Sequence, residues 1–227
     1  MAAISSSKRR QEYIAGHSLL RLAARQALGV DASFGGTDEK QHWQQPANSA
    51  PQLPQHPNLT FGLSHSGGWV AAVVESTGET TNVDKTGVDI ELERERKNLT
   101  RLARYSFTED WLHQHREDLL PAFFQRWTLC EALVKGSQKT LGTELLRHQR
   151  FASVEPDKQP LNTGRWLYHT RIAPEHTPYS ALGLNKPMHI SLCSERHYPR
   201  CKMRVLCLTD NKFMALEPIA FSTFQAV

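Results

Sequence analysis

The chain has 227 residues, a formal net charge of +4 and 39% hydrophobic residues. This length supports a large core in one domain or two small ones, and the lack of any apolar run of about 18 residues predicts no transmembrane helix. The four cysteines, all in the C-terminal half, lack paired Cys-x-x-Cys spacing, which argues against a disulfide framework or zinc site and favours a reducing, cytoplasmic setting.

Residues 7–28 are predicted to form the first helix, because apolar residues recur on one face and Gly29 offers an end signal. Residues 1–10 are followed by mixed polar residues rather than by an apolar core, so we expect no signal peptide. The segment 1–30 is basic, and its charged residues are Lys8, Arg9, Arg10, Arg21 and Arg25 against Glu12. Such a segment attracts an acidic partner or a phosphorylated ligand, or else it is a solvated helix face.

Two strands are predicted around a turn in the next part of the chain. Residues 35–58 are rich in Gly, Gln and Pro and indicate a long surface connection. Strands 59–64 and 69–75 then flank a Ser-His-Ser-Gly-Gly turn that contains Ser64 and His65. Adjacent side chains at a strand end diverge, so these two residues do not form a nucleophile and base. The turn can instead hold a phosphate through its side chains and backbone N–H groups.

The most informative strand covers residues 86–92, where Val88 and Ile90 alternate with Asp89 and Glu91. This period-2 pattern is typical of a half-buried strand. Successive side chains on a strand point to opposite faces, so Asp89 and Glu91 share one face and lie about 7 Å apart along the strand. The strand therefore presents two carboxylates to the same neighbouring element.

A helix predicted over residues 121–135 supplies a third carboxylate. Trp127, Glu131 and Lys135 recur at i, i+4 and i+8 and therefore line one stripe. If this helix packs on the strand, the carboxylate of Glu131 converges with the two strand carboxylates, and Lys135 lies one turn beyond. Three like charges in one place need a cation, and an all-oxygen site suits Mg²⁺ rather than zinc.

The remaining segments complete a mixed pattern of helices and strands. Residues 93–101 indicate a charged loop, and residues 105–119 are predicted to be helical, with Thr108 as a possible N-cap. Further strands are expected near residues 149–154, 165–172, 188–193 and 202–208. The sequence therefore predicts an α+β fold.

Four blocks of the sequence follow one another along the chain in the order found in the 4′-phosphopantetheinyl transferases. They resemble the signature of that family, specifically the monomeric surfactin-synthetase-activating type of the holo-acyl-carrier-protein synthase superfamily. The family's strand reads Gly-Val/Ile-Asp-x-Glu, and about 40 residues later its helix reads Trp-Ser/Thr-x-Lys-Glu-Ala/Ser-x-x-Lys. The matching residues are Gly87, Val88, Asp89 and Glu91, then Trp127, Thr128, Glu131, Ala132 and Lys135. Residues 59–70 resemble the family's Ser-His-Ser-Gly-x-Trp-Val segment, and residues 9–21 resemble its N-terminal helix with Ala-Gly-Arg.

The resemblance implies two similar α+β halves related by a pseudo-twofold axis, here residues 1–104 and 105–227, with the coenzyme in the cleft between them. It implies transfer of the 4′-phosphopantetheine group of coenzyme A to a serine of an acyl or peptidyl carrier protein, releasing adenosine 3′,5′-bisphosphate. Such carriers are generally acidic and serve fatty-acid, polyketide or nonribosomal-peptide synthesis. We also expect the protein to be a cytoplasmic monomer with no nucleic-acid or membrane partner.

The same resemblance assigns roles to the matching positions. Asp89, Glu91 and Glu131 would hold Mg²⁺. The predicted catalytic residues are Glu131, which would also accept the serine proton, and Lys135, which would approach the coenzyme phosphates. The predicted coenzyme-binding residues are Ser64, His65, His17, Arg21 and again Lys135.

Three departures from the family pattern keep a second interpretation open. Cys130 stands where the family has Lys, His17 where it has the Arg of Ala-Gly-Arg, and Gln45 where it has the Lys of Gly-Lys-Pro. Each replaces a cation expected near the coenzyme with a neutral or weakly basic group. The alternative is therefore a non-catalytic relative that binds a carrier protein or coenzyme A. A metal-dependent nuclease is less favoured, because Glu93 occupies the position where such enzymes place Lys.

Overall fold

Five helices and eleven strands are present in the computed structural model of the protein, which describes residues 7–29, 43–44, 50–76, 86–137, 141–155, 165–175, 183–198, 202–203, 206–209, 212–215 and 219–226. The helices are Ser7–Ala27 (α1), Leu99–Ser106 (α2), Glu109–Gln114 (α3), Leu119–Ser137 (α4) and Thr143–His148 (α5). The strands are Leu59–Ser66 (β1), Trp69–Ser76 (β2), Gly87–Leu92 (β3), Phe151–Val154 (β4), Trp166–Ile172 (β5), Met188–Ser194 (β6), Lys202–Met203 (β7), Leu206–Thr209 (β8), Lys212–Ala215 (β9), Ile219–Ala220 (β10) and Ser222–Ala226 (β11).

The largest sheet has five antiparallel strands in the order β3-β6-β5-β11-β4, and α4 packs against it. Leu129, Ala132 and Leu133 of α4 form a buried cluster with Leu167 and Cys193 of the sheet. The predicted α+β class is confirmed. Because β3 pairs with β6, this sheet joins strands from either side of the predicted division at residue 104. The division into two similar halves stays a prediction.

A helix and a hairpin form the second packed unit. Strands β1 and β2 pair from end to end, and Leu20 and Ala24 of α1 pack with Leu59 and Phe61 of β1. Gly67 and Gly68 make the two-residue turn with φ of 63° and 95°, the positive values that a tight type I′ hairpin turn requires. The strand therefore continues to Ser66. Ser64 and His65 lie in β1 and not in the turn where the sequence pattern had placed them.

The predicted helix over residues 105–119 is divided into two shorter pieces. Helix α2 ends at Ser106, and Phe107 turns its ring into a buried aromatic cluster. Thr108 then caps α3, its hydroxyl oxygen accepting the N–H of Trp111 at 3.3 Å, as the sequence indicated. An N-cap residue has non-helical backbone angles, so one helix cannot run through this position.

None of the helices in the described ranges combines the length and the apolar character needed to cross a bilayer. Helix α5 and strands β9 to β11 were not predicted from the sequence. Gln45 and Cys201 lie outside the described residues.

A buried polar network connects β5 and β6 of the large sheet with Glu93, the residue that follows β3. His169 Nε2 lies 3.0 Å from His189 Nδ1, and His189 Nε2 lies 2.8 Å from Glu93 Oε1. Arg171 donates to the same Glu93 oxygen at 2.5 Å. Burial lowers the pKa of His169 to about 3, and His189 beside it acts in the same direction. Burial also lowers the pKa of His189, although Glu93 opposes the shift.

As the pH is lowered, the protein should therefore begin to lose stability at a higher pH than that at which ordinary carboxylates become protonated. Between pH 6.5 and about 3 the unfolded chain binds a proton at His169 that the folded chain rejects, so stability is lost as the pH falls. By pH 4.5 we expect His169 to have cost roughly 2–3 kcal/mol of the free energy of unfolding. Urea denaturation at several pH values measures this loss.

The matched control for this loss is His148, whose side chain is 70% exposed and contacts only Glu144 among the ion pairs of the described residues. His169→Asn should flatten the dependence of stability on pH, whereas His148→Asn should leave it as in the wild type. A wild-type free energy of unfolding that stays constant from pH 7 to 4.5 would contradict the neutral, buried state of His169.

Candidate active site

Strand β1 lies beside β3 and places two serines against the two strand carboxylates. Ser64 Oγ donates to Asp89 Oδ1 at 2.9 Å, and Ser66 Oγ donates to Glu91 Oε2 at 2.8 Å. The pairing follows from the period of the strands, since alternate residues of β1 and of β3 face each other. The hairpin therefore holds both carboxylates in fixed orientations.

Helix α4 approaches β3 more closely than a side chain at Gly87 would allow. A Cβ at Gly87 would lie 2.1 Å from the carbonyl oxygen of Ala132 and 2.6 Å from the backbone nitrogen of Gly136. Gly87 thus permits backbone-to-backbone contact between the strand and the helix. This contact places Glu131 and Lys135 of α4 directly over the strand carboxylates.

The resulting pocket has a volume of about 240 Å³. Its polar lining consists of Ser64, His65, Asp89, Glu91, Glu131 and Lys135. Trp127 forms part of the wall and stacks on Phe123 with ring centroids 5.7 Å apart. The pocket thus brings together all three carboxylates that were predicted to bind a metal and both residues that were predicted to be catalytic.

Lys135 is the central cation of the pocket. Its Nζ donates to Asp89 Oδ1 at 2.6 Å and to Ser64 Oγ at 3.1 Å. Burial raises the pKa of Asp89, and Lys135 and Ser64 oppose that rise. Burial also raises the pKa of Glu131, the charge of Asp89 adds to the rise, and Lys135 opposes it. The pocket therefore carries more negative charge than its one lysine offsets.

The donor set fits a hard divalent cation. Asp89 Oδ2 is buried and has no hydrogen-bond partner within the described part of the chain. Glu91 and Glu131 supply further carboxylate oxygens to the same pocket. No group of three His, Cys, Asp or Glu side chains among the described residues is arranged to hold a metal as it stands. One oxygen of Asp89 accepts a hydrogen bond from Lys135 instead. A cation on the remaining oxygens would relieve the repulsion, and oxygen donors favour Mg²⁺.

Two of the predicted coenzyme-binding residues lie apart from this pocket. His17 packs against Tyr13 within α1, with ring centroids 4.2 Å apart and the ring planes tilted by 46°. Arg21 is one helical turn further along α1 and is exposed to solvent. Neither residue lines the pocket that contains Ser64 and His65. Their contact with a coenzyme stays a prediction.

The interpretation of Cys130 as a lost coenzyme contact is wrong. Its side chain is fully buried in a cluster with Phe107, Phe123 and Phe124, and it does not line the pocket. Burial raises the pKa of the Cys130 thiol to about 12, so it is a neutral core residue. Position 130 lies one residue before Glu131, and this separation of about 100° on a helix turns it toward the aromatic core.

Glu12 was not among the site residues predicted from the sequence. It lies on α1 and is buried against the hairpin. Its Oε1 accepts the backbone N–H of Gly68 at 3.0 Å, and its Oε2 lies 3.1 Å from His65 Nδ1. A signal was present in the sequence. Glu12 shares the buried helical stripe of Gly16, Leu20 and Ala24, and an acid on such a stripe needs a polar partner.

Residues 85–193 match the family model of the 4′-phosphopantetheinyl transferase superfamily. The match covers just under half of the chain and includes Asp89, Glu91, Glu131 and Lys135. Ser64, His65 and Glu12 lie outside the matched phosphopantetheinyl transferase segment.

Individual relatives carry the same family description. The chain is 38% identical over 80 residues to a putative 4′-phosphopantetheinyl transferase of Haemophilus influenzae, an alignment that covers 34% of this chain and 32% of the relative. It is 26% identical over 163 residues to a 4′-phosphopantetheinyl transferase of Bacillus subtilis, which covers 64% of this chain and 65% of the relative. A second Bacillus subtilis transferase, ffp, is 30% identical over 99 residues, or 42% of this chain and 40% of the relative. The chain thus aligns with about one third to two thirds of the length of these phosphopantetheinyl transferases.

Proposed function

We propose that this protein transfers the 4′-phosphopantetheine group of coenzyme A to a serine of an acyl or peptidyl carrier protein, in a Mg²⁺-dependent reaction. The observation that carries the proposal is the convergence of Asp89, Glu91, Glu131 and Lys135 in one pocket, within the segment that matches the superfamily. A buried carboxylate cluster beside a lysine suits a substrate that brings both a divalent cation and phosphates.

The reaction is attack by a hydroxyl on a phosphoanhydride. The bond from the carrier serine oxygen to phosphorus forms, and the bond from phosphorus to the leaving oxygen of adenosine 3′,5′-bisphosphate breaks. Catalysis of such transfers rests mainly on positioning and on neutralisation of charge. A cation held by Asp89, Glu91 and Glu131 would neutralise charge on the pyrophosphate oxygens.

The side chains of the pocket have separate tasks in this reaction. Lys135, whose ammonium group donates to Asp89 in this pocket, would direct that group toward the coenzyme phosphates. Ser64 and His65 hydrogen-bond to these phosphates from β1. Glu131 accepts the serine proton as the general base.

The carrier protein would approach over a basic surface beside the pocket. Exposed cations on the segment that follows β3 and on α2 form this surface, and they are Arg94, Arg96, Lys97, Arg101 and Arg104. They would steer an acidic carrier toward the pocket and make the association rate depend on ionic strength. We propose the surfactin-synthetase-activating type and a monomer as the finer assignments.

Transfer can be tested by the release of adenosine 3′,5′-bisphosphate, measured by chromatography after incubation of the protein with coenzyme A, Mg²⁺ and apo carrier proteins. Release should require the protein, the carrier and the metal together, and a chelator should stop it. Binding of coenzyme A without any release, on carriers for fatty-acid, polyketide and peptide synthesis, would favour the non-catalytic relative. A metal-dependent nuclease stays the less favoured alternative, because Glu93 stands where such enzymes place Lys.

A further inference from the structure

We propose that Glu12 is a positioning residue that orients His65 for the phosphates of coenzyme A, an inference that rests on the proposed function. Glu12 is on α1, whereas His65 is on β1, and their side chains meet at 3.1 Å between Oε2 and Nδ1. His65 in turn lines the pocket that contains Lys135 and the three carboxylates. Glu12 itself does not line that pocket, so it acts on a ligand only through His65.

The burial of Glu12 requires that its carboxylate group has polar partners. Glu12 is 8% exposed, and both carboxylate oxygens are engaged, one by His65 and the other by the N–H of Gly68 at 3.0 Å. A buried carboxylate is costly unless it is hydrogen-bonded. A glutamine could accept the Gly68 N–H equally well, so this bond alone does not account for an acid at position 12. The partner that distinguishes glutamate from glutamine is His65.

The contact with Glu12 fixes which ring nitrogen of His65 is left for a ligand. A carboxylate only accepts hydrogen bonds, so Nδ1 carries the proton that faces Glu12. Nε2 is then the only ring nitrogen available to a ligand. An anionic phosphate at Nε2 would place the ring between two negative charges, with Glu12 on the opposite side. Glu12 thereby favours the form of His65 that donates to phosphate.

The helix is held in place without the Glu12 carboxylate. Gly16 packs so closely on β1 that a Cβ would lie 3.0 Å from Leu63 Cδ1, and Leu20 is fully buried against the hairpin. These apolar contacts should keep α1 docked in a Glu12→Gln variant. Gln at this position retains an acceptor for Gly68 but turns an amide N–H toward His65 Nδ1. The ring then carries its proton on Nε2, and the carboxylate charge that faces it in the wild type is absent.

Steady-state kinetics with coenzyme A as the varied substrate test the inference. Glu12→Gln should raise KM for coenzyme A about tenfold with kcat within about twofold of the wild type, because a charge-assisted hydrogen bond to the ground-state ligand is weakened. The effect should vanish when Glu12→Gln is introduced into a His65→Gln background. The matched control is Glu144→Gln, which breaks an exposed Glu–His pair, with 3.3 Å to His148, away from the pocket.

Nitrogen NMR of the His65 ring supplies a readout that does not depend on transfer. In the ligand-free wild type at neutral pH the Nδ1–H tautomer should predominate, and in Glu12→Gln the Nε2–H tautomer should replace it. An unchanged tautomer, or a rise in KM that is the same with and without His65, would overturn the inference. If Glu12→Gln changes the tautomer of His65 but the wild type releases no bisphosphate with any carrier, the positioning of His65 stands and the proposed function fails.

Discussion

Replacing Asp89 with Asn should lower the rate of carrier modification by about a thousandfold, with the fold intact. Asp89 lies at the centre of the pocket, where it accepts hydrogen bonds from Lys135 and Ser64 and keeps one buried oxygen free of partners within the described residues. Asparagine has the same shape but no charge. Its amide oxygen would hold a divalent cation with Glu91 and Glu131 more weakly than a carboxylate, so the substrate phosphates would lose much of the proposed neutralisation.

The rate should be measured under saturating coenzyme A and Mg²⁺, with circular dichroism to establish that the variant is folded. Asp110→Asn is the matched control, since Asp110 is an exposed residue of α3 and does not line the pocket. Activity of the Asp89→Asn variant within about tenfold of the wild type would show that this carboxylate is not a metal ligand in the reaction.

Gly87→Ala should destabilise the protein by roughly 3 kcal/mol or more, because the added methyl group meets backbone atoms on α4. Its Cβ would lie 2.1 Å from the carbonyl oxygen of Ala132 and 2.6 Å from the nitrogen of Gly136. Neither atom belongs to a flexible side chain, so the whole helix must move away from β3. The buried contacts of Leu129 and Leu133 with the sheet would loosen at the same time.

Urea denaturation measures this loss, with Gly142→Ala as the control. A Cβ at Gly142 meets no atom within 4 Å, and its φ of −115° suits alanine. Because Gly142 is the N-cap of α5, we expect a cost within about 1 kcal/mol there. Equal stability of the two variants would mean that strand and helix do not approach as closely as described. Gly87→Ala should also lose transfer, since displacement of α4 carries Glu131 and Lys135 away from Asp89.

The residues of the pocket could be predicted from the sequence, because two short spacings decide which side chains share a face. Alternation along β3 places Asp89 and Glu91 on one face, and the spacing of four residues places Glu131 and Lys135 on one stripe of α4. Both statements need only local structure. Gly87, which permits the close contact between β3 and α4, was also visible in the sequence. Nothing in the local sequence identified which helix Gly87 would contact.

The misplaced predictions involve contacts between distant segments. Cys130 neighbours Glu131 in sequence, yet α4 is covered on several sides, and the side that holds Cys130 faces Phe107 and Phe123. Whether a helical position faces a pocket or a core depends on which segments surround the helix. The tight turn at Gly67 and Gly68 likewise extends β1 to Ser66, a register that is fixed by pairing with β2.

The role of Glu12 shows a different limit of sequence reasoning. Its position on the buried stripe of α1 could have indicated a polar partner, but that partner is more than 50 residues away on β1. The registers of β4, β5, β6 and β11 are equally non-local. Sequence patterns thus predicted the faces of single elements well, and they did not predict which faces meet.

Intact-mass spectrometry of apo carrier proteins is the most direct test of transfer at this pocket. Each carrier would be incubated with coenzyme A, Mg²⁺ and either the wild type, Asp89→Asn or Asp110→Asn. The account predicts a gain of one phosphopantetheine mass, located on a serine, with the wild type and with Asp110→Asn, and no such gain with Asp89→Asn over the same time. A full mass gain with Asp89→Asn, or none on any carrier with the wild type, would contradict it.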